Sequence, residues 1–242
     1  MENVYELFFH PGEVCEIRAI GVSGSNRGWE GRVGPAGIVS GYFDNADDFG
    51  RCAEILDKAG AKGVYFTLNP VNPALIARAA NRLKVPKSTT QDTDTACIRW
   101  LPIDLDPKRP SDISASDEEV ALAKEMAKSI AAWMEDELGW PRAIRGFSGN
   151  GYHLMYRLPD LPNNQDTHEM IVASIGVIAS KFSADTVDID LKVVNPARIW
   201  KLYGTTGRKG DSIPARPHRK SYLFSDQPTR LDDVPALKEG NV

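Results

Sequence analysis

The chain has 242 residues, 42% hydrophobic and 26% charged, with a net charge of −4, enough apolar side chain for one large domain or two closely packed halves. No run of about 18 apolar residues occurs, so no membrane-spanning helix is expected, and the acidic start Met1-Glu2-Asn3-Val4-Tyr5-Glu6 lacks the layout of a signal peptide. Cys15, Cys52 and Cys97 are odd in number and far apart, which argues against a C-x-x-C zinc site and a disulfide framework and fits a reduced, cytoplasmic setting.

Tyr5 to Val22 has the mixed apolar and polar pattern of strands, and residues 23–28 form a Gly/Ser/Asn-rich loop. Asp44 reads as an N-cap, followed by a helix with Ala46, Phe49, Cys52, Ala53, Leu56 and Ala59 on one face and Gly60 as its stop. Residues 62–68 are a strand, and Asn69-Pro70-Val71-Asn72-Pro73 turns into a helix over Ala74–Leu83. The next strand begins at Cys97 and carries Asp104-Leu105-Asp106 into Pro107. Ser116-Asp117-Glu118-Glu119 is a capping box that opens a helix to about Leu138, stopped by Gly139 and Pro141. Two strands, Arg142–Phe147 and Tyr152–Leu158, flank the hairpin signal Ser148-Gly149-Asn150-Gly151. A helix over Gln165–Phe182 and a strand over Val187–Val194 complete the order β-α-ββ-α-β, the split βαβ arrangement of ferredoxin-like and RNA-recognition-type folds. The expected fold class is α+β: an N-terminal α/β module over residues 1–90 packed on an RNA-recognition-motif-like module over 91–225, with a tail over 226–242.

Side chains two apart on a strand share a face, so Asp104 and Asp106 point the same way. Carboxylates held that close repel unless a cation lies between them. Pairs of divalent ions are the usual device for in-line nucleotidyl transfer, and Mg²⁺ or Mn²⁺ takes oxygen donors. In the split βαβ topology the strand of His153 neighbours that of the acids, while Asp190, or Asp188, on the last strand is the candidate third ligand. Ser148, Gly149 and Asn150 offer backbone and side-chain donors to an anion, and His153 adds a further donor. Arg198 and Lys201 are placed to neutralise nucleotide phosphates. From Arg198 to Lys220 there are seven Lys/Arg against one acid, Asp211. That basic stripe, with Arg208, Lys209, Arg216 and Arg219, is expected to bind a phosphate backbone despite the acidic net charge.

Taken together, the D-x-D, the S-G-N-G-x-H segment and a later Asp followed by N-P-A-R-I-x-K-L-x-G-T resemble the archaeo-eukaryotic primase superfamily, specifically primase-polymerases. Gly41-Tyr42-Phe43, Thr67-Leu68-Asn69-Pro70 and the Arg216-Pro217-His218-Arg219 segment resemble its bacterial, phage and CRISPR-associated branch. The resemblance spans roughly residues 5–222. It implies a catalytic RNA-recognition-like module and template-directed nucleotidyl transfer with two Mg²⁺ or Mn²⁺ ions. Asp104, Asp106 and Asp190 would be the metal ligands; Ser148, Asn150, His153, Arg198 and Lys201 would contact the triphosphate. The implied partners are a single-stranded DNA template or primer, a ribo- or deoxyribonucleoside triphosphate, and replication or CRISPR-adaptation proteins, with no membrane. The absence of zinc-binding cysteines and of a helical priming domain favours extension over autonomous initiation. Two other readings stay open: a two-metal nuclease or phosphohydrolase using the same acids, and a catalytically silent RNA-recognition-like binding module.

Overall fold

The longest strands lie at the centre of the molecule, and the rest of the chain is arranged around them. In the computed structural model, which describes residues 4–23, 28–35, 37–182 and 184–238, the chain begins with a short helix α1 (Val4–Phe8) and strands β1 (Cys15–Ile20) and β2 (Val39–Phe43). Helix α2 (Ala46–Lys58) and strand β3 (Gly63–Thr67) follow, then a 3-10 turn over Pro73–Arg78. The second half comprises β4 (Ile98–Pro107), α3 (Asp117–Ala132), β5 (Ile144–Phe147), β6 (Tyr152–Leu161), α4 (Gln165–Phe182) and β7 (Val187–Ile189). Four short strands close the chain: β8 (Ile199–Lys201), β9 (Thr206–Gly207), β10 (Arg219–Lys220) and β11 (Tyr222–Leu223).

The fold is α+β, with two main sheets. One has the order β11-β5-β6-β4-β7. Its β5-β6-β4-β7 core is the split βαβ order expected from the sequence, because β4 and β6 become neighbours when each βαβ crossover spans a strand. Apolar Leu101, Ile103 and Leu105 alternate with Asp104 and Asp106 along β4, and α3 and α4 pack on this sheet. The second sheet has the order β2-β1-β3-β8, antiparallel throughout, with α2 against it. β8 therefore leaves the second half of the sequence and completes the sheet of the first half, so the structural module boundary does not follow the sequence boundary near residue 90. One continuous apolar core runs from Phe8 and Phe66 through Trp100 and Leu154 to Ile175.

Several local expectations hold. The Ser116–Glu119 capping box makes both of its reciprocal hydrogen bonds, at 3.2 and 2.9 Å. α4 has the expected bounds. Others are displaced by long-range backbone pairing. Residues expected as strand near Tyr5 form α1. Asn45 rather than Asp44 caps α2, its side chain accepting from the Asp48 N–H at 2.9 Å. The helix expected over Ala74–Leu83 stops as the 3-10 turn, because residues 79–84 hydrogen-bond along the open edge of β2 instead. The last strand ends at Ile189, where the Asp190 side chain caps a 3-10 turn over Leu191–Val194. The expected tail is docked: Leu231, Val234 and Leu237 are buried, and Arg157 donates to the carbonyls of Leu231 and Val234. No helix among the described residues is long and apolar enough to cross a membrane.

One buried cation joins the halves. Arg99 on β4 is 0% exposed and grips Glu13, from the α1–β1 connection, at 2.6 and 2.8 Å. It also grips Asp160 on β6 at 2.7 and 2.6 Å. Burial by itself raises the Glu13 carboxyl, but its bonds to Arg99 and to the His10 N–H bring it below its usual range; the Arg99 bond does the same for Asp160. Removing one partner of a buried pair costs about 3–5 kcal/mol, and the half-exposed acids put Arg99→Met at the lower end, about 3 kcal/mol by urea unfolding at pH 7. Because both folded pKa values are depressed, this stability is complete above the ordinary carboxyl range of about 4 and is lost as pH falls through the folded values. The gap between wild type and Arg99→Met should therefore narrow progressively below about pH 4.

Candidate active site

The acid pair is positioned by strand register. Asp104 on β4 lies opposite His153 on β6, and Asp106 lies opposite Asp188 on β7. The Asp190 N–H donates to the Asp104 carbonyl at 3.0 Å, which continues that pairing by one residue. Directly opposed antiparallel residues share a face, so one face of the sheet carries Asp104, Asp106 and His153 together. A cleft of about 320 Å³ opens there, bordered by Asp104, Asp106 and His153 on one side and by Tyr65, Lys201 and Lys209 on the other.

Each acid is neutralised from within the chain. The His153 Nε2 lies 3.3 Å from the Asp104 Oδ1. Burial would raise the Asp104 carboxyl, but His153, Arg198 and Lys209 outweigh it and hold it below its usual range. Asp106 is held by the Arg109 guanidinium in a fork, both contacts 3.2 Å, with the Lys209 Nζ at 3.8 Å. Asp190 accepts from Arg198 at 2.9 Å and from the Lys192 N–H at 2.8 Å. Asp188 pairs with Lys108 at 3.4 Å.

Asp104 and Asp106 fit a hard divalent cation in donor type and in sharing a face. Asp190 is adjacent but turned to Arg198 and its own cap, and among the described residues no three Asp, Glu, His or Cys side chains converge on one point.

His153 is 4% exposed and locked. Its Nδ1 is 2.7 Å from the Tyr203 hydroxyl, which also accepts from the Trp200 Nε1–H at 3.0 Å, and its ring lies 4.2 Å from the Trp200 ring. Lys201 is 6% exposed, donates to the Thr206 carbonyl at 3.1 Å and stands 5.8 Å over the Tyr65 ring. No carboxylate among the described residues lies within 4 Å of its Nζ, and burial drops its pKa to about 7.

The Ser148–Gly151 segment differs from the anion loop expected. The Ser148 hydroxyl closes the hairpin, donating to the Gly151 carbonyl and accepting from the Asn150 and Gly151 N–H groups. The Asn150 Oδ1 accepts from the Ala115 N–H at 2.8 Å and so anchors the start of α3. Gly149 adopts φ +103°, and a Cβ at Gly151 would stand 2.1 Å from the Leu105 carbonyl oxygen. These glycines let the hairpin turn and press against β4. Ser148 and Asn150 still border the cleft, but their main polar atoms have partners.

The basic stripe is also largely spent internally. Arg208 is bolted to Asp57 at 2.8 Å and to the carbonyls of Ala61 and Asp57. Arg216 forks onto Glu119 at 2.8 and 2.7 Å, and Arg219 reaches Asp117 at 2.6 Å and the Ala115 carbonyl at 2.7 Å. The acids of α3 that the sequence sets apart from the stripe are thus two of its partners. Lys209 and Lys220 are its accessible members.

Sequence reading passed over Tyr65 and Arg109. Arg109 carried a signal, three residues after Asp106; Tyr65 gave none, because it acts across a long loop closure.

No family model and no curated protein matches the chain. Among solved structures, the AEP domain of the cyanophage S-2L primase-polymerase (PrimPol) is similar at a TM-score of 0.45 and 13% identity, over 91% of this chain and 85% of that one. Primase RepB' is similar at 0.43 and 13% identity, over 88% of this chain and 51% of that one. The catalytic domain of primase RepB' in complex with initiator DNA gives 0.39 and 14%, over 87% and 76%. Likeness at that level carries no weight for function.

Two outcomes test the site's internal bonding. Arg208→Ala should cost about 1–2 kcal/mol in urea unfolding, since it strips Asp57 and two carbonyls of a charged donor, whereas Lys209→Ala should change stability by less than about 0.5 kcal/mol. The depressed Lys201 pKa means that between about pH 7 and pH 10 the unfolded chain binds more protons, so this group makes stability rise with pH. Wild type should gain roughly 1–2 kcal/mol over Lys201→Met between pH 7 and pH 9.

Proposed function

We propose that the chain is a template-directed nucleotidyltransferase of the primase-polymerase kind, joining nucleoside triphosphates to a primer strand on single-stranded DNA. One observation carries the reading: an acid pair on a central strand, His153 opposite it, and lysines on the facing wall of the same cleft. Acids face cations across a cleft large enough for part of a nucleotide, which suits a substrate that brings its own phosphates.

In this reading Asp104 and Asp106 hold two Mg²⁺ or Mn²⁺ ions, with Asp190 as a third ligand once released from Arg198. Bound there, the ions supply charge neutralisation for the triphosphate and acidify the attacking 3′-hydroxyl. Lys201, Lys209 and the released Arg198 orient the phosphates by charge-assisted hydrogen bonds. His153, braced by Tyr203 and Trp200, keeps its Nε2 edge fixed toward Asp104 and the substrate. Trp200 and Tyr203 are buried supports, and Tyr65 on the facing wall is the more exposed of the two aromatics, with Trp200, that line the cleft.

The test is incubation with primed and unprimed single-stranded template, labelled nucleotides and Mg²⁺ or Mn²⁺. Lengthened products support the reading. Shortened template indicates a two-metal hydrolase, and a gel shift without chemistry indicates a binding module. Asp104→Ala and Asp106→Ala should each abolish extension with the fold intact; a tenth of wild-type activity retained in both removes the pair from the active site. Lys201→Ala should weaken nucleotide affinity by about tenfold to a hundredfold, on the scale of one charge-assisted hydrogen bond.

A further inference from the structure

Five residues align across the β2-β1-β3-β8 sheet. Lys84 is bridged to Ser40, Ser40 is paired with Arg18, Arg18 with Tyr65, and Tyr65 with Lys201. The row thus lies on one face of the sheet, and at about 4.8 Å per strand it is about 19 Å long. Its Lys201 end is the wall of the acid cleft. Its Lys84 end opens into a second cleft of about 480 Å³, bordered by Tyr42, Arg78, Lys84, Lys87 and Ser88. The middle is shielded: Ser40 is 2% exposed, and Arg18 is tied to Glu16 at 2.7 Å beneath the Thr90 carbonyl.

The charge of the second cleft contrasts with that of the 198–220 stripe. Its bordering carboxylate, Glu30, is held by Arg82 at 2.9 Å. Among the described residues Lys84, Lys87 and the nearby Arg32 have no carboxylate within 4 Å. Arg78 is fixed over the Tyr42 ring at 5.8 Å, donates to the Tyr42 hydroxyl at 3.1 Å, and is a third exposed, with Asp94 at 3.5 Å. The Tyr42 ring is 1% exposed beneath Arg78 and offers no stacking face, so what the outer end of the row presents is a positive groove, the electrostatic half of the way proteins track a single-stranded polynucleotide without reading its sequence.

We propose that the phosphate backbone of the single-stranded DNA template is held in this outer cleft by Lys84, Lys87 and Arg78, at the far end of the row from the acid pair. The inference rests on the template-directed reading above and moves the main template contact from Arg208, Arg216 and Arg219 to the β2 edge of the β2-β1-β3-β8 sheet. Arg208, Arg216 and Arg219 need their charge to hold the fold; Lys84 and Lys87 do not.

Fluorescence anisotropy of labelled dT20 with the full chain, titrated with NaCl, decides it. Each phosphate neutralised on a single strand contributes a slope of about −0.7 in log affinity against log salt. Lys84→Glu/Lys87→Glu should flatten the wild-type slope by about 1.4 units and lower affinity about 25-fold near 0.1 M salt. Lys124→Glu/Lys128→Glu, the same change of net charge on the exposed side of α3, should leave the slope within about 0.3 units of wild type. Lys84→Gln/Lys87→Gln gives the same flattening with no introduced repulsion, and covers the case in which the Glu variant fails to fold. Equal losses in the Lys84/Lys87 and Lys124/Lys128 variants, or no loss in the former, overturn the track while leaving the template-directed reading in place. Failure of wild type to bind dT20 at low salt overturns both.

Discussion

Two carboxylates on one strand, two residues apart and facing the same way, repel each other, and much of this structure is occupied with answering that repulsion. Asp104 receives His153 from β6, and Asp106 receives Arg109 from the loop beyond β4 and Lys209 from the segment after β9. Asp190 receives Arg198. These partners come from four separate stretches of chain, so the acids organise the whole cleft. A structural role alone would have been met at less cost by apolar side chains, since ion pairs at partly buried positions give little net stability over hydrophobic replacements. The arrangement makes better physical sense as a site whose protein cations are exchanged for those of a substrate complex.

The two most deeply buried cations show how differently burial can be met. Arg99 is surrounded by two carboxylates whose geometry matches its planar fork, and it stays charged. Lys201 has a carbonyl and an aromatic ring, and burial drives it toward the neutral amine near neutral pH. The guanidinium is committed to holding the halves of the chain together. The amine is incompletely satisfied and faces the cleft, which leaves it able to regain its proton when an anion arrives.

What was legible in the sequence follows the range of the forces involved. The capping box at Ser116–Glu119, the span of α4 and the D-x-D strand are set by neighbours a few residues away, and the split βαβ order follows from the sequence of elements. That order makes the strands of His153 and Asp104 neighbours; the register that sets the two residues opposite each other belongs to the pairing itself. By contrast, residues 79–84 have no local reason to be extended; they are drawn out by the unpaired edge of β2. The basic stripe looked solvent-facing because Asp57, Asp117 and Glu119 are distant in sequence and nothing local links them to Arg208, Arg219 and Arg216. Ser148 and Asn150 read as anion donors because a hairpin that consumes its own polar groups has the same residues as one that offers them. Long-range hydrogen bonding, not composition, separates the two.

β8 settles how the cleft is held. Its residues follow β7 in the chain but pair with β3 in the other sheet, so Lys201 and Trp200 are carried by one sheet while Trp200 stacks on His153 of the other. The two walls are consequently joined by continuous backbone over twelve residues, Asp190 to Lys201, and by a buried hydrogen-bonded set through Tyr203, not by the docking of two independent surfaces. Interfaces between domains of one chain commonly allow relative motion; a short covalent connection and a buried hydrogen-bonded set restrict that freedom at the point where the acids face the lysine. The spacing across the cleft is then set by that connection and by the buried contacts of Trp200 and Tyr203 with His153.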